Sequence, residues 1–260
     1  MYRRRGFAAI VRHTFAIVNI SSAIFDRSAP DLLSCPDESL PEFAFIGRSN
    51  VGKSSLLNML AGKRGLARVS TTPGFTKLIN VFTMNRTWRL VDLPGYGYAH
   101  VARKDMAQFN QAVAEYLLHR PNLYCVFALI DSGLSPQKID LEFVEWLAIN
   151  SIPFVLVFTK TDRVKAAKVR ANIEAFQEEL SARCEDLPLI FTCSAETKEG
   201  RAELLGVIEE AMTAAQNEAE SEPEPAAQEA APLVEDLPGT GWRIGALASH
   251  VKRPNPARPW

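Results

Sequence analysis

Short runs of branched and aromatic residues alternate along this chain with stretches in which apolar residues recur every three or four positions. The short runs are typical of β-strands, and several are apolar almost throughout, as in strands covered on both faces of a parallel sheet. Six strands are predicted, at residues 42–46, 77–83, 87–91, 123–130, 153–158 and 187–191. Five helices are predicted, at residues 53–60, 106–118, 138–149, 166–180 and 202–212.

This alternation of strands and helices predicts an α/β fold. We expect a three-layer α/β/α sandwich around a mostly parallel six-stranded sheet. One pair of strands should be antiparallel, because only the turn Met84-Asn85-Arg86 separates residues 77–83 from residues 87–91. In sheets of this kind, ligands bind beyond the carboxyl ends of the strands. The residues that follow each predicted strand are therefore the first candidates for a functional site.

The composition excludes several classes of protein. The chain has 260 residues with 29 Lys and Arg against 30 Asp and Glu, so its near-zero net charge does not drive it toward nucleic acid or lipid. Hydrophobic residues make up 47% of the chain, which excludes wholesale disorder. The longest apolar run, residues 123–130, is far shorter than the roughly 20 residues that span a bilayer. The four cysteines lack CxxC spacing, so neither a zinc site nor a disulfide framework is predicted.

The two ends of the chain differ from its middle. We predict a basic N-terminal extension (1–16), a single domain (17–212), an acidic linker rich in Ala, Pro and Glu (213–238) and a short basic tail with Trp and Pro (239–260). The tail is predicted to be disordered, with a docking peptide as the alternative. A cytoplasmic location is predicted, and the alternative is a mitochondrial or plastid protein whose residues 1–25 form a targeting segment.

A glycine-rich segment follows the first predicted strand. Residues Gly47–Ser54, GRSNVGKS, match GxxxxGK[ST] between a strand and a helix. The backbone amides of such a loop and the N-terminus of the helix bind phosphate oxygens. Lys53 would reach the β- and γ-phosphates, and Ser54 would give its hydroxyl to magnesium. The alternative is a glycine-rich turn that carries a surface lysine.

Two further motifs indicate a guanine nucleotide. Asp92–Gly95, DLPG, ends a strand and would bring an acid to the metal and a glycine amide to the γ-phosphate. Thr159–Asp162, TKTD, follows another strand, and its aspartate can accept hydrogen bonds from the ring N–H and the exocyclic amine of guanine. Adenine presents the wrong pattern and would leave this acid unpaired. Lys160 would lie along the base, and Cys193–Ala195 would bring a backbone amide to the guanine oxygen.

Longer phrases extend the pattern over residues 17–212. They are LPEFAFIGRSNVGKSSLLNML, ARVSTTPGFTKLIN, RLVDLPGYGYA, EYLLHRPNL, LIDSGLSPQKIDLEFVEWL and IPFVLVFTKTD. In these phrases the chain resembles the EngB (YihA/YsxC) family of bacterial GTPases, within the TrmE–Era–EngA–YihA–septin class. The resemblance implies a Ras-like P-loop GTPase fold and a monomer without membrane attachment that hydrolyses GTP to GDP and phosphate as a molecular switch. It also implies a role in assembling the large ribosomal subunit, through its precursor and its rRNA, and in normal cell division and septation.

The resemblance also implies a set of site residues. The nucleotide contacts would be Gly47, Arg48, Ser49, Asn50, Val51, Gly52, Lys53, Ser54, Gly74, Phe75, Thr76, Lys77, Leu78, Asp92, Leu93, Pro94, Gly95, Thr159, Lys160, Thr161, Asp162, Thr192, Cys193 and Ser194. Catalysis would involve Lys53, Thr76 and Gly95. Magnesium would be held by Ser54 and Thr76, with Asp92 acting through water, and Asn50 is a candidate ligand for potassium.

Two positions depart from what such GTPases usually carry. Phe75 stands where the family usually has Lys or Arg, so the resemblance does not carry over a contact from this position to phosphate or rRNA. Tyr96 stands where many small GTPases have the glutamine that positions the attacking water, so slow turnover is expected. A potassium ion at Asn50 would supply positive charge near the phosphates. The alternative is that Asn50 hydrogen-bonds only its own loop.

Basic and aromatic residues flank the two segments that the resemblance identifies as switches, residues 74–78 for the first and the DLPG segment for the second. Such mixtures suit RNA phosphates and exposed bases, and a solvated surface is the alternative. The residues are Arg64, Arg68 and Lys77 near the first switch, and Tyr96, Tyr98, Arg103 and Lys104 after the second. Two other functions fit all or part of the pattern. A septal or cytoskeletal interaction GTPase shares every motif, and a P-loop small-molecule kinase shares only residues 47–54.

Overall fold

The computed structural model describes residues 19–68, 78–96 and 103–221, with side chains omitted at 103–110 and 218–221. Seven strands lie in these ranges: β1 Ala23–Ala29, β2 Glu42–Gly47, β3 Ile79–Met84, β4 Trp88–Asp92, β5 Leu123–Asp131, β6 Phe154–Thr159 and β7 Ile190–Thr192. The α-helices in the same ranges are α1 Lys53–Ala61, α2 Arg103–His119, α3 Lys138–Ile149, α4 Ala166–Ser181 and α5 Arg201–Ser221. The five predicted helices are thus confirmed, with shifted ends.

The strands form one mixed sheet in the order β1-β3-β4-β2-β5-β6-β7. Strands β4, β2, β5, β6 and β7 are parallel to their neighbours in that order. Strand β3 is antiparallel to both β4 and β1, and Val81 lies opposite Val91 in the β3–β4 pair. The predicted antiparallel pair is therefore confirmed, and β3 is the strand that runs against the others.

The predicted number of six strands is wrong, because β1 adds a seventh at the edge of the sheet. Its sequence, AIFDRSA, buries only its two end residues, Ala23 and Ala29. It lacks the alternation of buried and exposed side chains that marks a half-buried strand. Backbone hydrogen bonds to β3 create this strand, and a side-chain pattern does not report them.

Helices cover both faces of the sheet. Phe43 and Phe45 of β2 belong to a buried cluster with residues of α1 and α5, including Leu57 and Ile208. Ala44 and Ile46 of the same strand belong to a second cluster, with residues of α2, α3 and α4. Every residue of β2 is buried, as expected of a central strand covered on both sides. The predicted three-layer α/β/α sandwich is confirmed.

Helix α5 continues beyond its predicted end at residue 212 to Ser221. The added residues, TAAQNEAES, are mostly good helix formers, and they extend the helix although residues 213–217 contribute no buried side chain. The first part of the predicted linker is therefore helical. Residues 1–18 and 222–260, which carry the other predicted terminal segments, lie outside the described residues. In the described part of the chain, no helix has the length and apolar character needed to cross a membrane.

Candidate nucleotide-binding site

The segments that follow β2, β4, β6 and β7 line one cavity of about 1040 Å³. The residues from Ser49 to Ser54, between β2 and α1, line this cavity, apart from Val51, which is buried in the core. Gly95, after the end of β4, lines it as well. Lys160 and Asp162 follow β6, and Cys193 and Ala195 follow β7. Parallel strands point their carboxyl ends to the same edge of the sheet, which is why motifs far apart in sequence meet there.

The phosphate-loop candidate is shaped by the close approach of backbone to backbone. A Cβ atom at Gly47 would lie 2.5 Å from the carbonyl oxygen of Leu129 on the neighbouring strand, so only glycine fits where β2 ends. Asn50 lies in the left-handed region, with φ of 63°, which asparagine tolerates better than most residues. The loop then turns directly into α1 at Lys53. Gly52, Lys53 and Ser54, at this end of α1, line the cavity.

Lys53 is buried inside the loop and is only 7% exposed. Its Nζ donates hydrogen bonds to the carbonyl oxygens of Gly47 at 3.2 Å and Arg48 at 3.4 Å. Burial lowers the pKa of Lys53, and the charge of Asp92 opposes this shift. An anion in the cavity would give this ammonium the charged partner that its surroundings supply only in part.

Asp92, at the end of β4, lies beside the start of α1. The Ser54 hydroxyl donates to its Oδ2 at 3.3 Å, and its other oxygen, Oδ1, is buried without a hydrogen-bond partner among the described residues. Burial raises the pKa of Asp92 to about 6, against the lowering effects of Lys53 and Ser54. A carboxylate oxygen without a partner, next to a hydroxyl, fits the all-oxygen ligand set of magnesium.

Gly95 closes the loop from the side of β4. A Cβ atom at this position would lie 2.8 Å from Lys53 Nζ, 2.9 Å from the carbonyl oxygen of Gly47 and 3.2 Å from the amide nitrogen of Ser49. The Gly95 backbone therefore packs directly on the loop, where any side chain would collide with it. Leu93 fixes the approach, because its amide donates to the Phe45 carbonyl at 2.9 Å.

Lys160 and Asp162, the candidates for the guanine site, are each held by a side chain from outside the TKTD motif. Lys160 Nζ forms an ion pair with Asp131 Oδ2 at 2.6 Å. The Ser194 hydroxyl donates to Asp162 Oδ1 at 2.6 Å and accepts from two backbone amides in its own loop. The Thr159 hydroxyl donates to the Val51 carbonyl at 2.7 Å, which ties this loop to the phosphate-loop candidate.

Comparison with known proteins gives the family. A family profile described as "50S ribosome-binding GTPase" matches residues 42–160. The EngB GTP-binding protein of Bacteroides fragilis is 51% identical over 192 residues, which cover 74% of this chain and 96% of that protein. The corresponding protein of Christiangramia forsetii is 45% identical over 192 residues, which cover 74% and 97%. The chain belongs to the EngB family of GTP-binding proteins.

Solved structures support the EngB assignment at the level of the fold. A crystal structure of an EngB protein covers 66% of this chain and 99% of its own length, with a TM-score of 0.54 and 23% identity. A variant of Era from Aquifex aeolicus, bound to GDP and aluminium fluoride, covers 77% of this chain and 62% of its own, with a TM-score of 0.50 and 21% identity. The predicted P-loop GTPase fold and the predicted family are both confirmed.

The predicted site residues of this EngB chain fall into three groups. Those that line the cavity are Ser49, Asn50, Gly52, Lys53, Ser54, Gly95, Thr159, Lys160, Asp162 and Cys193. Those that do not line it are Gly47, Arg48, Val51, Leu78, Asp92, Leu93, Pro94, Thr161, Thr192 and Ser194. Gly74, Phe75, Thr76 and Lys77 lie outside the described residues. The described motifs thus converge on one cavity, although several of their residues do not line it.

One residue of the loop after β7 is expected to offer a backbone amide to the guanine oxygen. The amides of Cys193 and Ser194 already donate to the Phe158 and Glu199 carbonyls, at 2.8 and 3.2 Å. Of the three residues expected to offer an amide to guanine, this leaves Ala195, which lines the cavity.

Tyr96 is buried, at 2% exposure, and its hydroxyl donates to Asp140 Oδ1 at 2.9 Å. The expectation that Tyr96 offers an exposed ring to RNA is therefore wrong in this structure. Arg64 and Arg68 do lie exposed at the cavity. Tyr98 and the side chains of Arg103 and Lys104 are outside the described residues.

Asp131 and Glu199 are the neighbours of the site that sequence reasoning missed. Asp131 ends β5, and its side chain accepts from the Gly133 amide as well as from Lys160. Glu199 accepts from the Thr161 hydroxyl at 3.1 Å through its side chain. The position of Asp131 at the carboxyl end of a central strand is a signal that could have found it. No comparable signal marks Glu199, because it lies in a loop after the last strand.

Proposed function

We propose that this EngB-family chain binds GTP, hydrolyses it slowly to GDP and phosphate, and acts as a molecular switch in assembly of the large ribosomal subunit. The observation that carries the proposal is one cavity lined by residues of the phosphate-loop candidate, by Gly95 and by Thr159, Lys160 and Asp162 of the TKTD motif. A role in cell division and septation would follow from this activity. Membership of a family of GTP-binding proteins sets the small-molecule kinase alternative aside.

In this proposal the nucleotide spans the cavity, with its phosphates at Lys53 and its base at Asp162. The loop amides and the Lys53 ammonium stabilise phosphate charge, and Lys53 gains the anionic partner that its burial calls for. Asp162 accepts from the two N–H groups of guanine while the Ser194 hydroxyl holds its other side. The stem of Lys160 lies along the base, and the Ala195 amide reaches the guanine oxygen.

Magnesium would be held by Ser54 and Thr76, with Asp92 acting through water. When bound at these residues, the ion would supply positive charge to offset the charge of the phosphates. The partnerless Asp92 oxygen supports this assignment. The Thr76 role rests on the sequence resemblance alone. Potassium at Asn50 is the finer part of the cofactor proposal, and the left-handed loop position of Asn50 is compatible with it.

Slow hydrolysis is proposed because, among the described residues, no side chain takes the place of the missing glutamine. Tyr96, at that position, turns into the core and donates to Asp140. Lys53, Thr76 and the Gly95 amide remain as the groups that would stabilise the transferred phosphoryl group. A partner such as the ribosome would then accelerate turnover.

The ribosomal part of the proposal is supported by the matched "50S ribosome-binding GTPase" profile and by the exposed Arg64 and Arg68 beside the cavity. Binding through phosphate contacts should weaken with salt. A switch should bind the particle more tightly in one nucleotide state than in the other. A septal or cytoskeletal GTPase without a direct ribosomal role remains the alternative that experiment must separate.

The choice of base is tested by Asp162→Asn. An asparagine amide can donate to the second oxygen that xanthine carries in place of the guanine amine, so we expect affinity to fall about 100-fold or more for GDP and to rise for XDP. Titration of a fluorescent GDP, with competition by XDP, GTP and ATP, measures both effects. Asp186→Asn is the matched control, since Asp186 is exposed and does not line the cavity. Equal displacement by ATP and GTP in the unmodified chain would refute the proposal.

The ribosomal role is tested by sedimentation with large-subunit precursors. We expect more protein to pellet with a non-hydrolysable GTP analogue than with GDP, less to pellet at higher salt, and Ser54→Ala to lose the nucleotide effect. Pelleting that ignores the nucleotide, together with capture by septal structures, would favour the interaction GTPase instead. Hydrolysis in potassium and sodium chloride is measured alongside, and equal rates would remove the potassium assignment at Asn50.

A further inference from the structure

Tyr96 links the DLPG segment to helix α3. It follows Gly95 directly in the chain, and its hydroxyl donates to Asp140 Oδ1 at 2.9 Å. Its ring packs against Phe143, with 4.5 Å between the ring centroids. Both partners lie on α3, more than 40 residues along the chain. Residue 96 is therefore attached through two contacts to an element outside every nucleotide motif.

The hydrogen bond is a buried one on both sides. Asp140 is 3% exposed and Tyr96 is 2% exposed. Burial raises the pKa of Asp140 to about 6, against the Tyr96 hydrogen bond and the charge of Arg48, which lower it. Burial also raises the pKa of Tyr96 well above its usual range, so the hydroxyl keeps the proton that it donates. Moving Tyr96 away would leave a buried carboxyl group without this donor and would expose an aromatic ring, which makes release unfavourable.

The position of Tyr96 restricts the position of Gly95. Adjacent Cα atoms lie about 3.8 Å apart across a trans peptide, so anchoring residue 96 leaves residue 95 little freedom. On its other side, the Gly95 backbone packs on the loop. A Cβ atom added at Gly95 would lie only 2.8 Å from Lys53 Nζ. Arg48, which belongs to the loop, also lines a small cavity with Asp140. The loop, Gly95 and α3 thus form one contact chain.

We propose that Tyr96 and Asp140 are positioning residues that hold the Gly95 amide toward the γ-phosphate of GTP. Tyr96 contributes to hydrolysis by anchoring the backbone, in place of the water contact that a glutamine at this position makes. This inference rests on the proposed function, since it requires GTP hydrolysis beside Gly95. GDP has no γ-phosphate and therefore does not need Gly95 to be held. The anchor should affect the GTP state selectively.

The first test is Tyr96→Phe, which keeps the ring against Phe143 and removes only the hydroxyl. We expect kcat for GTP hydrolysis to fall about tenfold and the affinity for a non-hydrolysable GTP analogue to fall severalfold, with GDP affinity within about twofold of the parent. Asp140→Ala should have the same effects. Asp140→Asn should retain most of the activity, because its amide oxygen still accepts from Tyr96. The double variant Tyr96→Phe with Asp140→Ala should have a kcat and an analogue affinity no lower than those of the more impaired single variant.

The matched control is Tyr116→Phe. Tyr116 is also buried and donates to a buried carboxylate, Glu42 Oε2, at 2.7 Å, but it does not line the cavity. This variant should lose thermal stability to a similar extent while its kcat and its preference for GTP analogue over GDP stay unchanged. An unchanged kcat and analogue affinity in Tyr96→Phe would overturn the inference, as would additive losses in the double variant or an equal loss of GDP affinity. If the unmodified chain binds guanine nucleotides without hydrolysing GTP, the proposed function fails, and the analogue affinities alone then decide the anchoring role.

Discussion

At the scale of single residues, side chains that hold other side chains shape the candidate site. Asp131 holds Lys160 through a 2.6 Å ion pair, and Ser194 holds Asp162 through a 2.6 Å hydrogen bond. Neither Asp131 nor Ser194 needs to contact the nucleotide through its side chain in order to affect nucleotide binding. A flexible lysine stem loses conformational freedom when it is fixed over a base, and a partner that fixes it beforehand reduces this cost.

Asp131→Asn should weaken the affinity for GDP and GTP together by about threefold to tenfold. The substitution removes the charged partner of Lys160 and leaves a side chain of the same size in its place. Fluorescent nucleotide titration measures this. Glu145→Gln is the control, since it removes the charge from another partly exposed ion pair, with Arg183 at 3.0 Å, away from the cavity. Equal affinities in the Asp131→Asn and Glu145→Gln variants would contradict the positioning role.

Gly95→Ala should reduce GTP hydrolysis by about 100-fold or more, because the new methyl group would collide with Lys53 and the loop. GDP should suffer less, since the collision lies at the end of the phosphate chain that Gly95 approaches. Single-turnover hydrolysis and GDP titration separate the two effects. A variant that hydrolyses GTP at the parental rate would show that the loop and Gly95 separate freely during turnover.

At the scale of elements, a buried carboxylate at the start of β2 joins the elements at the end of the sheet opposite the site. Glu42 is fully buried and accepts from the Tyr116 hydroxyl at 2.7 Å and from Arg120 at 2.6 and 2.9 Å. Arg89 of β4 lies 3.4 Å from the same carboxylate. These contacts tie helix α2 and strand β4 to the strand whose other end becomes the phosphate-loop candidate. The network fixes the scaffold and leaves the cavity chemistry to the carboxyl ends of the strands.

Glu42→Ala should lower the free energy of unfolding by about 3–5 kcal/mol, because buried Arg120 and Tyr116 lose their acceptor. Urea unfolding measures the loss. Glu142→Ala, which removes a partly exposed ion pair with Lys138 on α3, should cost only about 0.5 kcal/mol. The Glu42→Ala protein that remains folded should bind GDP normally. A selective loss of GDP affinity without a loss of stability would place Glu42 in the site instead.

At the scale of the whole molecule, the sheet and its two helical layers account for the part of the chain that bears the family resemblance. Among the side chains of α5 that are described, up to residue 217, the buried ones end at Ala211, close to the proposed domain boundary at residue 212. The helix continues to Ser221, and residues 213–217 add no buried side chain. The proposed domain 17–212 should therefore contain the apolar burial on which nucleotide binding depends.

Truncation tests that boundary. A chain ending at Ser221 should match the full chain in GDP affinity and thermal stability, and a chain ending at Met212 should be only slightly less stable because it loses exposed helical turns. A chain ending at Gly206 loses the buried Val207 and Ile208 and should unfold at a much lower temperature, because each buried side chain contributes about 1.5–3 kcal/mol. Weak GDP binding by the chain ending at Ser221 would assign a role in the site to residues 222–260.

The sequence by itself determined the strand–helix alternation, the phosphate-loop candidate, the DLPG and TKTD motifs and their order. Each depends on residues close together in the chain, where backbone periodicity and turn geometry act directly. Tertiary structure alone decided that β1 joins the edge of the sheet, that Tyr96 turns into the core toward Asp140, and that Asp131 pairs with Lys160. These contacts join residues far apart in sequence, and they form only when parallel strands bring their ends to one edge and helices close over them. Local patterns carry no record of such partners, because the partner is chosen by packing and not by neighbouring residues in the chain.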